Sequence, residues 1–128
     1  MKLLVTQPVL SEALQAASYF IPARTLSNAP AAAVLRGEEN TLWVQCRDFG
    51  HSFQCNVPAE VIEAGEVRVP LRIISDVVRR LHPGSLMVSS ADGSGGLTLS
   101  IGNSSYSIVT LGGTEMLEGP GNEEYPPD

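Results

Sequence analysis

The stretch VRVPLRIISDVVRRLHPG, residues 67–84, carries four of the chain's eight basic side chains (Arg68, Arg72, Arg79, Arg80) in a protein whose formal net charge is −6. It reads as strand, helix and stop. Glu66–Val69 alternates, Pro70 opens a helix, and Leu71, Ile74, Val77, Val78 and Leu81 recur at helical spacing until His82-Pro83-Gly84 ends it. Arg72, Ser75, Asp76, Arg79 and Arg80 are expected on the opposite, wet side, because positions seven apart return almost to the same angle. Such a face suits two readings: a solvated surface, or one that follows phosphate, which arginine on a fixed helix meets without reading bases.

Working outward, the same order of elements occurs about 64 residues earlier. Lys2–Thr6 is a short apolar strand, Thr6 can cap a helix with Pro8 in its first turn, and Leu10, Ala13, Leu14, Ala17 and Ile21 mark its buried side up to Pro22. Three strands follow that helix, Ala31–Arg36, Thr41–Cys46 and Ser52–Val57, with Gly37–Asn40 and Arg47–Gly50 as turns. Three follow the second, Leu86–Ser90, Leu97–Ile101 and Tyr106–Leu111. Two βαβββ repeats predict an α+β domain whose two helices cover one face of antiparallel sheets.

Charge separates this body from its tail. Residues 1–111 hold eight bases against nine acids, whereas residues 112–128 hold five acids (Glu115, Glu118, Glu123, Glu124, Asp128) and no base. The domain is therefore placed at 1–111, and 112–128 reads as an acidic Gly/Pro-rich tail or interdomain linker. At 128 residues the chain can bury roughly two thirds of its unfolded surface, so folding needs neither metal nor disulfide. Gln7, Pro8, Ser11 and Glu12 interrupt the first apolar run too early for a signal peptide, and no segment reaches the ~20 apolar residues of a membrane span. The chain reads as soluble and cytoplasmic, with Cys46 and Cys55 reduced.

The order and spacing of several segments resemble the bacterial sliding clamp, the beta subunit of DNA polymerase III, in its first domain. They are MKLLVT followed by LSEALQAAS, ARTLSNAP around Arg24, the pair TLWVQCRDF and SFQCNVPAE, GEVRVPLRIISDVVRRLHPG, and LTLSIGNSSYSIVTL. The resemblance implies a DNA-clamp domain that contributes helices to a ring around duplex DNA, held by backbone charge without base contacts. It places Arg24 and Arg72 at DNA-contacting positions, with Arg79 and Arg80 adding positive potential, and Tyr106 and Ile108 at an interface with further clamp domains or protomers. DNA polymerase and clamp loader are implied as partners of a complete clamp only. The sequence departs from the family pattern in two places. The first helix offers Glu12, Gln15 and Tyr19 but no base, and Asn103 and Ser105 stand where many clamps carry arginines. A different class also fits: a stand-alone clamp-like interaction module that caps or modulates a clamp without encircling DNA.

Residues Leu97 to Thr114 include no charge and no proline, so a strand here at a sheet edge would lack the guards that discourage pairing. Other constellations carry less. Cys46, His51 and Cys55 supply three ligand types at an uncommon spacing where structural zinc wants four, and no cofactor is expected. If Arg47–Gly50 makes the turn, the two cysteines face each other inward as buried thiols. His51 and Asp48 share one short turn in which nothing aims a base at a nucleophile, which argues against an enzyme. The GSGG run at 93–96 joins two strands and is a hairpin turn, not a phosphate loop. Trp43 points outward and is either covered by a neighbour or a contact anchor.

Overall fold

Strand β1 (Lys2–Thr6) does not pair with the next strand in the chain; it lies antiparallel to β7 (Ser85–Ser89), Lys2 opposite Ser89 and Thr6 opposite Ser85. The computed structural model describes residues 1–21, 31–48, 51–90 and 96–109. Between those two strands come α1 (Gln7–Phe20), β2 (Ala32–Glu38), β3 (Thr41–Asp48), β4 (His51–Pro58), β5 (Glu60–Glu63), β6 (Gly65–Pro70) and α2 (Leu71–Arg80). After β7, β8 (Gly96–Ile101) and β9 (Ser104–Val109) complete the described chain.

The two repeats are present and interlocked. The first strand of each completes the other's sheet, giving the orders β5-β1-β7-β8-β9 and β4-β3-β2-β6, all antiparallel. One strand lies outside the expected pattern. β5 follows β4 and runs along the free side of β1, with Leu3 opposite Val61 and a bulge between Lys2 and Leu3. It is located by the tight turn between β2 and β3, where Glu39 and Asn40 both take positive φ (52° and 58°), as the twist-matched two-residue hairpin turns require. From that turn Asn40 accepts two backbone N–H bonds, from Ala59 on its carbonyl (3.2 Å) and from Val61 on its side-chain oxygen (3.3 Å).

The sheets face one another over a single core, and in one place they come unusually close. Gly37 and Gly65 sit opposite each other on β2 and β6. An added Cβ would meet the Leu3 side chain at 2.7 Å from Gly37, and Met1 side-chain and backbone atoms at 2.9–3.1 Å from Gly65. This glycine pair is the gap that receives the N-terminus, whose ammonium donates to the Ser90 carbonyl at 3.0 Å.

The helices close the core side by side and antiparallel. The Gln7 amide at the start of α1 donates to the Val78 carbonyl near the end of α2 (2.6 Å), while Ser18 and Ile21 share a crevice with Leu71 and Arg72 at the other end. Leu10 and Leu14 from α1 and Ile74 and Val78 from α2 are fully buried, each contributing about 1.5–3 kcal/mol by leaving water. Two expectations are corrected here. Thr6 stands at the N-cap position but its hydroxyl caps nothing; the Gln7 N–H donates to the Gly84 carbonyl instead (2.8 Å). Ser75 is buried, not wet, as is its repeat counterpart Ser11, because a helix wedged between a neighbouring helix and a sheet buries more than its apolar stripe.

Candidate nucleic-acid interface and sheet edges

What remains exposed on α2 is Arg72, Ile73, Arg79 and Arg80, with Asp76 half-covered. Arg72 and Arg79 stand two turns apart, about 10 Å along the axis. Arg79 donates from Nη2 to Asp76 Oδ1 at 3.2 Å, an exposed i,i+3 pair of small net worth. Among the described residues, Arg72 and Arg80 have no ion-pair partner. Arg72 lies in the first turn of α2, where unpaired N–H groups add positive potential, and it borders the end of α1. The chain leaves α1 at Ile21, three residues before Arg24, which itself lies outside the described residues. The exposed side of α1 shows Glu12, Gln15, Tyr19 and Phe20 and no base. The two helices thus present three arginines against Glu12 and Asp76, and all three arginines belong to α2.

β9 is an edge strand, paired only with β8 among the described residues. It begins directly after Gly102-Asn103, with Gly102 at φ +58°, a conformation glycine adopts without strain. The two expected interface residues differ. Both share the core-facing side with Leu97 and Leu99, yet Tyr106 is 45 % exposed whereas Ile108, opposite Leu97, is 5 % exposed and spent on the chain's own core. Val109, 78 % exposed at the strand's end, was not picked out by the sequence reading, since alternation marks only one face.

A second apolar feature was missed altogether. Phe20 stacks on Phe53 of β4 (centroids 6.0 Å apart, planes at 23°) and meets Tyr19 edge-on at 5.5 Å. Tyr19 is 85 % and Phe20 59 % exposed, so an aromatic ridge runs from the end of α1 onto the edge strand β4. The only trace in sequence was two large aromatics at the polar end of an amphipathic helix.

The remaining candidates disperse. β3 and β4 pair out to Asp48 and His51, so the strands are longer than expected; Cys46 sits opposite Phe53 and Cys55 opposite Val44. The cysteines are thus diagonal neighbours, not a facing pair, and His51 is exposed at the far end. Burial pushes the Cys46 thiol up to about 11 from an ordinary 9.0, helped by Cys55, whose own value burial also raises. Both thiols stay protonated and slow to react in the native state. Below about pH 9 the thiol of Cys46 is protonated folded or unfolded. Above it the unfolded chain loses the proton first, so stability is expected to fall between pH 9 and about 11, and a Cys46→Ala denaturant series should show less of that fall. Trp43 is half-buried with the Arg36 guanidinium 5.5 Å over its ring, and Arg36 Nε lies 3.5 Å from Glu38 Oε1; a cross-strand arginine covers it.

The same arrangement occurs in solved structures. The DNA polymerase sliding clamp of Caulobacter crescentus superposes with a TM-score of 0.79 at 19 % identity, over 93 % of this chain and 34 % of that one. A Helicobacter pylori beta clamp, bound in its crystal to a DNA ligase peptide, gives 0.78 at 16 % identity over 95 % and 34 %. The interlocked repeats are therefore an α+β domain of DNA-clamp architecture. The chain belongs to the DNA polymerase III beta subunit family, matching the N-terminal domain over residues 1–117. It is 34 % identical over 111 residues to the beta sliding clamp of Streptomyces coelicolor (87 % of this chain, 29 % of the relative). To that of Synechococcus elongatus it is 28 % identical over 122 residues (94 % and 32 %). The chain thus spans about a third of the length of these relatives.

Proposed function

We propose that this chain acts as a non-catalytic clamp domain in DNA replication, contributing α1 and α2 to a ring around duplex DNA in the cytoplasm and so to polymerase processivity. The observation that carries the reading is the exposed side of α2, where Arg72 and Arg80 stand without ion-pair partners on a rigid helix. Arg24, Arg72, Arg79 and Arg80 are assigned to phosphate, and sequence-independent contacts of that kind let a ring slide without a preferred register. The β9 edge, through Tyr106 and its open backbone with Ile108 seated behind it, is assigned to a neighbouring clamp domain or protomer. Polymerase and clamp loader are assigned to the complete clamp. No helix among the described residues is long and apolar enough to cross a membrane.

The test is the salt dependence of DNA retention by an assembled clamp carrying Arg24→Ala and Arg72→Ala. Each lost phosphate contact should lower the slope of log K against log salt by about 0.9, roughly 1.8 for the pair. An unchanged slope would remove both residues from the DNA surface. The base-free side of α1 favours the second reading, a stand-alone module that caps a clamp. Mixing the chain with a complete clamp separates the two, since a cap alters clamp assembly and a ring component exchanges weakly or not at all.

A further inference from the structure

Phosphate contacts leave the exposed side of α1 without a role. Its stripe of Glu12, Gln15 and Tyr19, at helical spacing on one face, offers no base to a nucleic acid. What it offers is aromatic. Among the described residues Tyr19 is the most exposed large hydrophobic side chain, at 85 %, and Phe20 follows it in the chain. Both rings are buttressed: Tyr19 meets Phe20 edge-on, and Phe20 stacks on Phe53, which packs against the core. Rings fixed before a ligand arrives take it up at a small cost in ordering. Charge is the second observation. Because α1 and α2 run antiparallel, the end of α1 lies at the start of α2, where Ser18 and Ile21 share a crevice with Leu71 and Arg72. Arg72 is exposed, stands in the positive first turn and has no ion-pair partner among the described residues. One end of the helix pair thus sets an exposed ring near an exposed guanidinium.

We propose that this end of the helix pair is a binding site for a nucleotide of single-stranded DNA, its base stacked on Tyr19 and its phosphate on Arg72. This rests on the reading of α2 as a phosphate surface given above, and adds to it a preference for one form of DNA. Arginine meets phosphate whether the strand is paired or not. A ring is more selective: inside a duplex the faces of each base are covered by its neighbours, so an aromatic side chain stacks only where a base is unpaired or ends the stack. Stacking is also tolerant of base identity, since every base has a π-face, and suits a domain that holds DNA without reading it. Glu12, the acid on the same stripe, stands seven residues and about 10 Å along the axis from Tyr19, away from that phosphate.

The test uses the full chain at low salt and a thymine strand of about ten nucleotides with one central 2-aminopurine, whose fluorescence falls when it stacks, alone or annealed to its complement. Tyr19 is exposed, so replacing it leaves the core intact. Tyr19→Ala should weaken single-strand binding roughly tenfold and abolish the quench while duplex affinity stays the same; Tyr19→Phe should behave as the wild type. Arg72→Ala should weaken binding of both forms and lower both salt slopes. A Tyr19→Ala chain that binds the single strand as tightly as the wild type, or that loses both forms alike, overturns the stacking site. So does a change in mass by light scattering with none in DNA affinity, which would make the ridge a protein contact. If Arg72→Ala leaves duplex binding intact while Tyr19→Ala still weakens the single strand, the ring site stands and the phosphate reading fails. If Arg72→Ala acts on both forms and Tyr19→Ala on neither, the reverse holds. A wild type that binds neither form overturns both.

Discussion

Gly65→Val is expected to cost at least about 3 kcal/mol, with Gly65→Ala in the range of about 1–3 kcal/mol typical of overpacked sites. The reason is what lies across from it. A Cβ at Gly65 meets Met1 Cβ at 2.9 Å and the Met1 Cα and nitrogen at 3.1 Å. That backbone cannot swing aside, because the Met1 ammonium bonds the Ser90 carbonyl at 3.0 Å and the Ser90 N–H returns to the Met1 carbonyl at 2.8 Å. At Gly37 the opposing atom is the tip of the Leu3 side chain, so Gly37→Ala is expected to be the milder of the two despite a shorter contact of 2.7 Å. Urea unfolding of the three variants checks the order, Gly65→Val worst and Gly37→Ala best. Equal losses at Gly37 and Gly65 would mean that the sheets separate to relieve either contact.

Removing Arg72, Arg79 and Arg80 together should weaken DNA retention by an assembled clamp on the order of 10²–10³-fold at 0.1 M salt, with little change near 1 M, as three lost phosphate contacts imply. Charge alone makes a second, opposite expectation. Asp76 holds Arg79 at 3.2 Å, so Asp76→Asn frees that arginine and should strengthen retention and steepen its salt dependence by up to about 0.9. A general loss of folding cannot produce both signs. Arg79 and Arg80 also stand in the last turn of α2, where cations suit the helix dipole, so losing these two should cost about 0.3–1 kcal/mol each, partly offset by losing Arg72 from the positive first turn. Thermal unfolding separates that loss from the binding effect. Retention that falls equally at all salt concentrations would place the three arginines away from phosphate.

The repeat was legible because each half carries its own periodicity, two for the strands and 3.6 for the helices, and because prolines and glycines punctuate both halves at matching places. The elements hidden from that reading depend on partners distant in sequence. β5 is only four residues long and owes its place to β1 and to the Asn40 turn some twenty residues earlier. Ser75 looked wet by its polarity, yet packing requires small residues near a helix neighbour. Thr6 looked like a cap, but Gly84, 77 positions after Gln7, supplies the carbonyl that holds the first N–H of α1. On the surface, the arginines were legible as a cluster, whereas the Asp76 pairing of Arg79 and the burial of Ile108 needed coordinates. The aromatic ridge was not legible, because Phe20 and Phe53 come together only once α1 lies against β4.

The interlocking of the two repeats also sets an order of events during synthesis. Of the described strands β1 is made before the others, but its central partner β7 is finished only at Ser89. Met1 and Ser90, hydrogen-bonded in the fold, are 89 positions apart, which at ~5–20 residues per second is a delay of roughly 4–18 s. During that interval the β2–β3–β4 hairpins can form from local contacts alone, while the first strand and the apolar side of α1 remain uncovered. On that order, the seating of Met1 in the gap left by Gly37 and Gly65 is expected as a late step. A bulky tag fused directly to Met1 would therefore obstruct the closing of the domain, whereas the same tag on the far side of β9 would leave that step free.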